Sequence, residues 1–397
     1  MVDDRKSDAV GRSPLPLSMW EFSWLVRREG AEAEYSDWDR ILDEAAERGY
    51  RCLRIDAFPH MVAAAKAGGR DERFTIIPQP RAFMWGNHAP VEVEPRRSLV
   101  EFMTKARERG ISIGLSSWFN DDITHRRDEI VSPDDYARIW HETLAFLADH
   151  GLHDAIEWVD LCNEFPLGDW AGQAHFRIFD APGRDPVPSL GIWTPTQVER
   201  INLYFESIES LRTDWPELAY TFSFSTVPPN VFALDLSHFD LLEAHCWITT
   251  TDIEFVGATR FTDFLSMLPE AVTRHVQLVN QTYWPRREEW LERLKAIISV
   301  WSQRASEVAL PIINSEGWAS TVYEDTALPN SRDPWDYVRD VGRSAASAAI
   351  DAGYWGICTS NFSQPHFPRL WSDVKWHQEL NELISSGPSS GSNNPPT

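Results

Sequence analysis

Four times in this chain a helical pattern stops at a glycine and an apolar run begins at once. The stretches are Glu47-Arg48-Gly49-Tyr50, Glu108-Arg109-Gly110-Ile111, Asp149-His150-Gly151-Leu152 and Asp351-Ala352-Gly353-Tyr354. Glycine just past a helix accepts the left-handed backbone that ends it, so each stretch reads as the joint where a helix hands over to a buried strand. Helix starts agree with these stops. Ser98 with Glu101 and Thr194 with Gln197 have capping-box spacing, and Ser132-Pro133 and Asp333-Pro334 put proline at the first helical position. The pattern predicts strands near 19–24, 50–57, 111–117, 156–163, 219–225, 239–246, 310–315 and 354–360. Helices are predicted near 36–48, 98–109, 133–150, 196–213, 286–306, 334–352 and 372–384, with a short fifth crossover near 227–237. Eight βα repeats closed on themselves give an α/β fold, the (β/α)8 TIM barrel. A doubly wound sheet is the alternative, although no GxGxxG follows the first strand and no P-loop occurs.

A single barrel over 18–385 uses most of the 397 residues. Residues 1–17 and the low-complexity tail 386–397 are expected to be disordered. A formal net charge of −23 argues against a nucleic-acid partner, because phosphate backbones are bound by clustered Lys and Arg. No stretch reaches the roughly 18 apolar residues of a membrane span, and no signal-type apolar segment is seen, so a cytoplasmic location without membrane contact is expected. Cys52, Cys162, Cys246 and Cys358 show no CxxC spacing and lie in apolar runs. They are expected to be reduced core residues, not zinc ligands or disulfides.

Two of the predicted strands end in a carboxylate. Ile156-Glu157-Trp158-Val159-Asp160-Leu161-Cys162-Asn163-Glu164-Phe165-Pro166 delivers Glu164 at its end, where Pro166 stops the ladder. Leu310-Pro311-Ile312-Ile313-Asn314-Ser315-Glu316-Gly317-Trp318 delivers Glu316 in the same way. In a barrel the reactive groups stand at the C-terminal ends of strands, so the two glutamates are the leading candidates. Strand two adds Arg54, Asp56 and His60, strand three Trp118 and Asn120, and strand six His245 and Trp247. Arg54 beside Asp56 is read either as a structural ion pair or as a guanidinium that orients a site carboxylate.

The chain holds 19 tryptophans. Trp38 and Trp140 fall on apolar helix stripes and belong to the core. Trp24, Trp85, Trp118, Trp170, Trp247, Trp284 and Trp318 sit at strand ends or in loops beside polar groups, a setting that suits pyranose rings, which need a flat apolar face and hydrogen-bonding neighbours.

Taken together, Asn-Glu ending strand four, Glu ending strand seven, Arg on strand two and His on strand six resemble clan A of the glycoside hydrolases. Trp20-Glu21-Phe22-Ser23-Trp24-Leu25, Arg54-Ile55-Asp56-Ala57-Phe58-Pro59-His60 and Asp160-Leu161-Cys162-Asn163-Glu164-Phe165-Pro166 look more narrowly like its cellulase-like family, over about 18–384. The resemblance implies retaining hydrolysis of a β-type glycosidic bond in oligosaccharides or small glycosides. It implies Glu164 as acid/base, Glu316 as nucleophile, Asn163 on the sugar 2-hydroxyl and Arg54 steadying Glu316, with no metal or cofactor.

The chain departs from that pattern at three places. Glu316-Gly317-Trp318 stands where glutamate-aromatic-glycine is usual, Trp247 stands where a tyrosine is usual, and strand eight ends in Cys358-Thr359-Ser360-Asn361-Phe362 instead of a tryptophan. Asn361 or Phe362 takes that tryptophan's place. The alternatives are a sugar-binding barrel without catalysis and a metal-dependent barrel hydrolase or isomerase, although no His-x-His follows strand one. Long segments after strands two (61–97), four (165–195), six (248–285) and seven (318–333) are expected to wall the site into a pocket, which favours removal of terminal sugars.

Overall fold

The structure, a computed structural model, describes residues 13–28, 30–79, 84–180, 191–266, 268–319 and 333–388. Two compact units divide the chain. Of the described residues, the first comprises Trp20–Ala46 and Arg51–Glu243, and the second comprises those up to Met19, Glu47–Tyr50 and those from Ala244 onward.

In the first unit strands two to five run parallel and side by side: Cys52–Asp56, Ser112–Ser116, Ile156–Asp160, and Tyr220–Thr221 continued by Ser223–Phe224. Asp56 lies opposite Ser116 and Val159 opposite Tyr220. Every residue of Cys52–Asp56 is buried, as expected of a parallel strand covered on both faces. Gly114 is required by its neighbour, since a Cβ there would come to 2.4 Å from the Trp158 ring. The helix Pro133–Asp149 packs through Tyr136, Ile139, Trp140, Thr143, Leu144 and Leu147, a stripe with helical spacing.

In the second unit Leu15–Leu17 of the first strand (Leu15–Glu21) pair in parallel with Gly356–Cys358, the eighth strand. Ile313 and Asn314 of strand seven flank Gly356 and Ile357 on the other side. Cys246–Trp247, which continues strand six (Leu242–Ala244), lies parallel to Gly317–Trp318. The helices Arg287–Glu307 and Trp335–Asp351 cover these strands, the latter through Val338, Val341, Ala345 and Ala349. Among the described residues no helix is long and apolar enough to cross a membrane.

All eight predicted strands are present in order, and the four helix-ending glycines have φ of 85°, 69°, 65° and 79° at Gly49, Gly110, Gly151 and Gly353. Among the described residues two capping boxes form, both at helices opened by proline, Ser132 with Asp135 and Thr194 with Gln197. Several boundaries differ from expectation. Strand one starts at Leu15, inside the segment expected to be disordered, because its backbone pairs with strand eight; residues 1–12 and 389–397 lie outside the described residues. Ser98 is no cap, since Pro95 opens that helix a turn earlier. The segment 248–285 is largely helical and not a loop. Asp252 caps Ile253–Thr259, and Pro269–Tyr283 buries Val272, Val276 and Val279, a periodicity present in the sequence but outside the one-helix-per-repeat reading. The segment 61–97 carries an antiparallel pair, Phe74–Ile76 with Val91–Val93. All four cysteines are free and buried. Burial pushes the Cys52 and Cys162 thiols up, and Cys246 up to about 12.

Candidate active site

At the end of each of the first four strands, or within four residues beyond it, a residue is forced into the left-handed region: Glu21 (φ 28°), Phe58 (49°), Phe119 (42°) and Glu164 (47°). Non-glycine residues held there cost about 1–3 kcal/mol each and persist only where surroundings over-determine them. In the first unit the surroundings are a buried polar cluster. Arg54 is fully buried, with Nη2 donating to Asp160 Oδ2 at 2.6 Å and to Asn163 Oδ1 at 2.7 Å, and with Nε 3.2 Å from Glu243 Oε1. Its guanidinium lies 4.5 Å over the Trp118 ring, a cation–π contact. Ser116 and Ser223 donate to Asp160 Oδ2 at 2.6 and 2.9 Å, and Trp158 Nε1 donates to Glu243 Oε2 at 3.1 Å.

Two buried carboxyls thus face one guanidinium. Burial raises the pKa of Asp160, Arg54 pulls it back, and the neighbouring Glu243 raises it again. The cluster supports the residue that ends strand four, for Ser223 Oγ also accepts the Glu164 backbone N–H at 2.8 Å. Glu164 is 8% exposed, and Trp170 Nε1 donates to its Oε2 at 3.3 Å. Asn163 is fully buried, its N–H on Ser117 O at 2.8 Å. Its Nδ2 meets no partner among the described residues.

Asp56, Asn120 and His60 form a second polar group. Asp56 accepts from Phe58 N at 2.7 Å, Trp118 N at 3.2 Å and Asn120 Nδ2 at 3.0 Å. Burial outweighs these donors and pushes its carboxyl up to about 7. His60 Nε2 donates to Asn120 O at 2.9 Å, and burial lowers the ring to about 4, so it is neutral at pH 7. These contacts shape the mouths of strands two and three. The Arg54 charge also lowers the Asp56 carboxyl, while the hydrogen bonds to Asp56 come from Phe58, Trp118 and Asn120, and Arg54 pairs with Asp160 and Glu243.

In the second unit Glu316 is 6% exposed, and His245 Nδ1 lies 3.7 Å from its Oε2. Gly317, joined to Trp318 by a cis peptide bond, stands where a Cβ would be 2.8 Å from Cys246 O. That close approach accounts for glycine directly after Glu316. Trp247 is nearly buried beside Trp318, which is wholly buried with its N–H on Cys358 O at 2.9 Å. Trp318 is thus a packed strand residue, and Trp24, in the short helix Ser23–Val26 that follows strand one, is buried with its indole on Asp56 O at 3.0 Å. Trp85 and Trp170 are half-buried. Phe362 packs edge-on against Trp335 and Phe367 in the core, whereas the buried side chain of Asn361 has no partner among the described residues.

Sequence reasoning passed over Glu21, Asp160 and Glu243. Glu243 was within reach, because period-two alternation from His245 leads back to it. Glu21 was masked by its aromatic neighbours; it is buried at the end of strand one, with Oε1 accepting from Ser23 N at 3.2 Å.

A fold of this kind is shared with solved glycoside hydrolases. A glycoside hydrolase family 5 enzyme from Prevotella bryantii B14, in complex with a xyloglucan tetradecasaccharide, matches at 13% identity with TM-score 0.51, over 96% of this chain and 99% of that one. The GH5_18 protein from Streptomyces cattleya in complex with GlcNAc matches at 14% identity with TM-score 0.50, over 93% and 82%. These likenesses show the (β/α)8 barrel. A putative glycoside hydrolase from Parabacteroides distasonis ATCC 8503 is 30% identical with TM-score 0.83, over 96% of this chain and 97% of that one. The family model described as sugar-binding cellulase-like matches residues 17–385. The chain belongs to this cellulase-like family. No curated protein sequence matches it.

Proposed function

We propose that the protein is a retaining glycosidase acting on β-type O-glycosidic bonds of short oligosaccharides or small glycosides, with Glu164 as acid/base and Glu316 as nucleophile. The observation that carries the reading is that both glutamates, far apart in sequence, are buried at the mouths of parallel strands beside a ring nitrogen, Trp170 Nε1 for Glu164 and His245 Nδ1 for Glu316. A retaining mechanism needs one carboxyl protonated and one ionised, about 5–5.5 Å apart. Glu316 attacks the anomeric carbon as the bond to the leaving oxygen breaks, and the Glu164 proton passes to that oxygen. Water then attacks the same carbon, its proton returns to Glu164, and the Glu316 carboxylate is released. Asn163 Nδ2, buried and without a protein partner among the described residues, is suited to a sugar hydroxyl. Buried free thiols accord with a reducing compartment, where imported fragments are met.

The description of the family as sugar-binding keeps a second reading in view, a barrel that holds sugar without cleaving it. Azide chemistry separates the two. With an activated aryl β-glycoside, Glu164→Ala forms the glycosyl-enzyme but breaks it down slowly, and azide restores turnover to give a β-glycosyl azide. Glu316→Ala loses several orders of magnitude of activity and yields with azide only the inverted α product. The opposite pairing of products reverses the two roles, and a parent protein that binds glycosides without turnover establishes the second reading.

A further inference from the structure

The mouth of strand eight holds a polar group that the fold itself does not use. Asn361 is fully buried. Its backbone is satisfied on both sides, with N–H on Gly317 O at 2.7 Å and the carbonyl accepting from Gln364 Nε2 at 2.9 Å. Its side chain is not: Oδ1 and Nδ2 are both buried without a partner among the described residues. A hydrogen bond left unmade on a buried polar atom destabilises the fold, because the atom has lost its water and gained nothing in exchange. Asn314, equally buried in the same unit, shows what a structural asparagine looks like here. Its Nδ2 donates to Ala244 O at 2.7 Å, and its Oδ1 accepts from Cys358 Sγ at 3.3 Å.

We propose that Asn361 determines specificity by gripping two adjacent hydroxyls of the bound sugar, Oδ1 accepting from one and Nδ2 donating to the next. The proposal rests on the glycosidase reading for its location, because Asn361 is tied through Gly317 O to the residue that follows Glu316. A carboxamide presents one acceptor beside two donors in a plane, which matches a free vicinal diol. An aromatic ring at this position would offer a face without direction. Phe362, the neighbouring candidate, is committed to Trp335 and Phe367 at ring distances of 5.9 and 5.1 Å. The substrate class that follows is a glycoside whose terminal sugar carries two unsubstituted neighbouring hydroxyls.

The test uses p-nitrophenyl β-glycosides of glucose, mannose, galactose and xylose, with the monodeoxy analogues of whichever is cleaved fastest. In the parent protein, removing either gripped hydroxyl lowers kcat/KM by roughly 100-fold or more, since a site built to hydrogen-bond a hydroxyl rejects the analogue that lacks it. In Asn361→Ala and Asn361→Leu the same deletions cost less than about fivefold, because the amide left unpaired in the parent is gone. Both variants melt at or above the parent's Tm without ligand, whereas Asn314→Ala melts lower. Discrimination that is unchanged in both variants overturns the proposal, as does a fall in Tm for both, which makes the amide structural. If no glycoside is turned over, the glycosidase reading fails, and calorimetry with the free monosaccharides and their deoxy forms decides Asn361 by the same comparison. Absence of binding to every sugar overturns both.

Discussion

Arg54 Nη2 donates to Asn163 Oδ1 at 2.7 Å, and that bond decides which end of the Asn163 amide is left without a partner among the described residues. A guanidinium only donates, so the amide must turn its oxygen toward it and its NH2 away. The same guanidinium is held by Asp160 and Glu243 from strands four and six. A hydrogen-bond donor at the mouth of strand four is therefore oriented by a charge cluster buried one layer beneath it.

This predicts different outcomes for two substitutions of Arg54. Arg54→Lys keeps the charge, but an ammonium has no planar fork and cannot serve Asp160, Glu243 and Asn163 together. Its kcat/KM should fall about 100-fold, the scale expected when a positioned group shifts by an ångström. Arg54→Met leaves two carboxyls buried without their cation and should cost about 3–5 kcal/mol in urea unfolding. A methionine variant as stable as the parent would show that the cluster does not depend on its cation.

Acid should destabilise the protein before its carboxylates titrate. Burial lowers His60 and His275 to about 4 and His377 to about 3. The unfolded chain takes up these protons near pH 6.5 and the folded chain only near 3–4, so stability present above pH 6.5 is lost as pH falls toward 4. Asp56, raised to about 7, acts with the opposite sign, stabilising at low pH and losing that contribution as pH rises through 7. Burial raises Asp160 in the same direction as Asp56, and three histidines against these two carboxyls give a net loss on acidification. Imidazole C–H resonances should show these three rings neutral at pH 5.5, and any of them titrating near 6.5 contradicts the burial argument.

Sugar binding should change tryptophan emission through the half-buried Trp85 and Trp170 and the nearly buried Trp247, and not through Trp24 or Trp318, whose indoles are spent on backbone carbonyls. Trp170→Phe should remove much of the response to a saturating glycoside, while Trp24→Phe should leave it in place. A response abolished by Trp24→Phe would mean that the fully buried indoles report the ligand.

The eight strands, the helix-ending glycines and both strand-end glutamates were legible in the sequence because each depends on local causes. Hydrophobic period, proline at a first turn and glycine past a last turn act within a few residues. The helical content of 248–285 was equally local and was missed because one helix per repeat was assumed. The left-handed ends at Glu21, Phe58, Phe119 and Glu164 had no such signal, since nothing in a glutamate or phenylalanine announces φ above zero. The partners of Arg54 were not legible either. Asp160 is 106 positions away and Ser223 is 169 away, and no local pattern specifies pairs so distant. By itself the sequence determined which elements form, in what order, and which acids end them, because short-range propensity and periodicity carry that information. Which polar groups are consumed inside the fold, and which, like Asn163 Nδ2 and the Asn361 amide, are left without a partner among the described residues, only the tertiary structure decided, because hydrogen-bond satisfaction depends on neighbours that folding brings together.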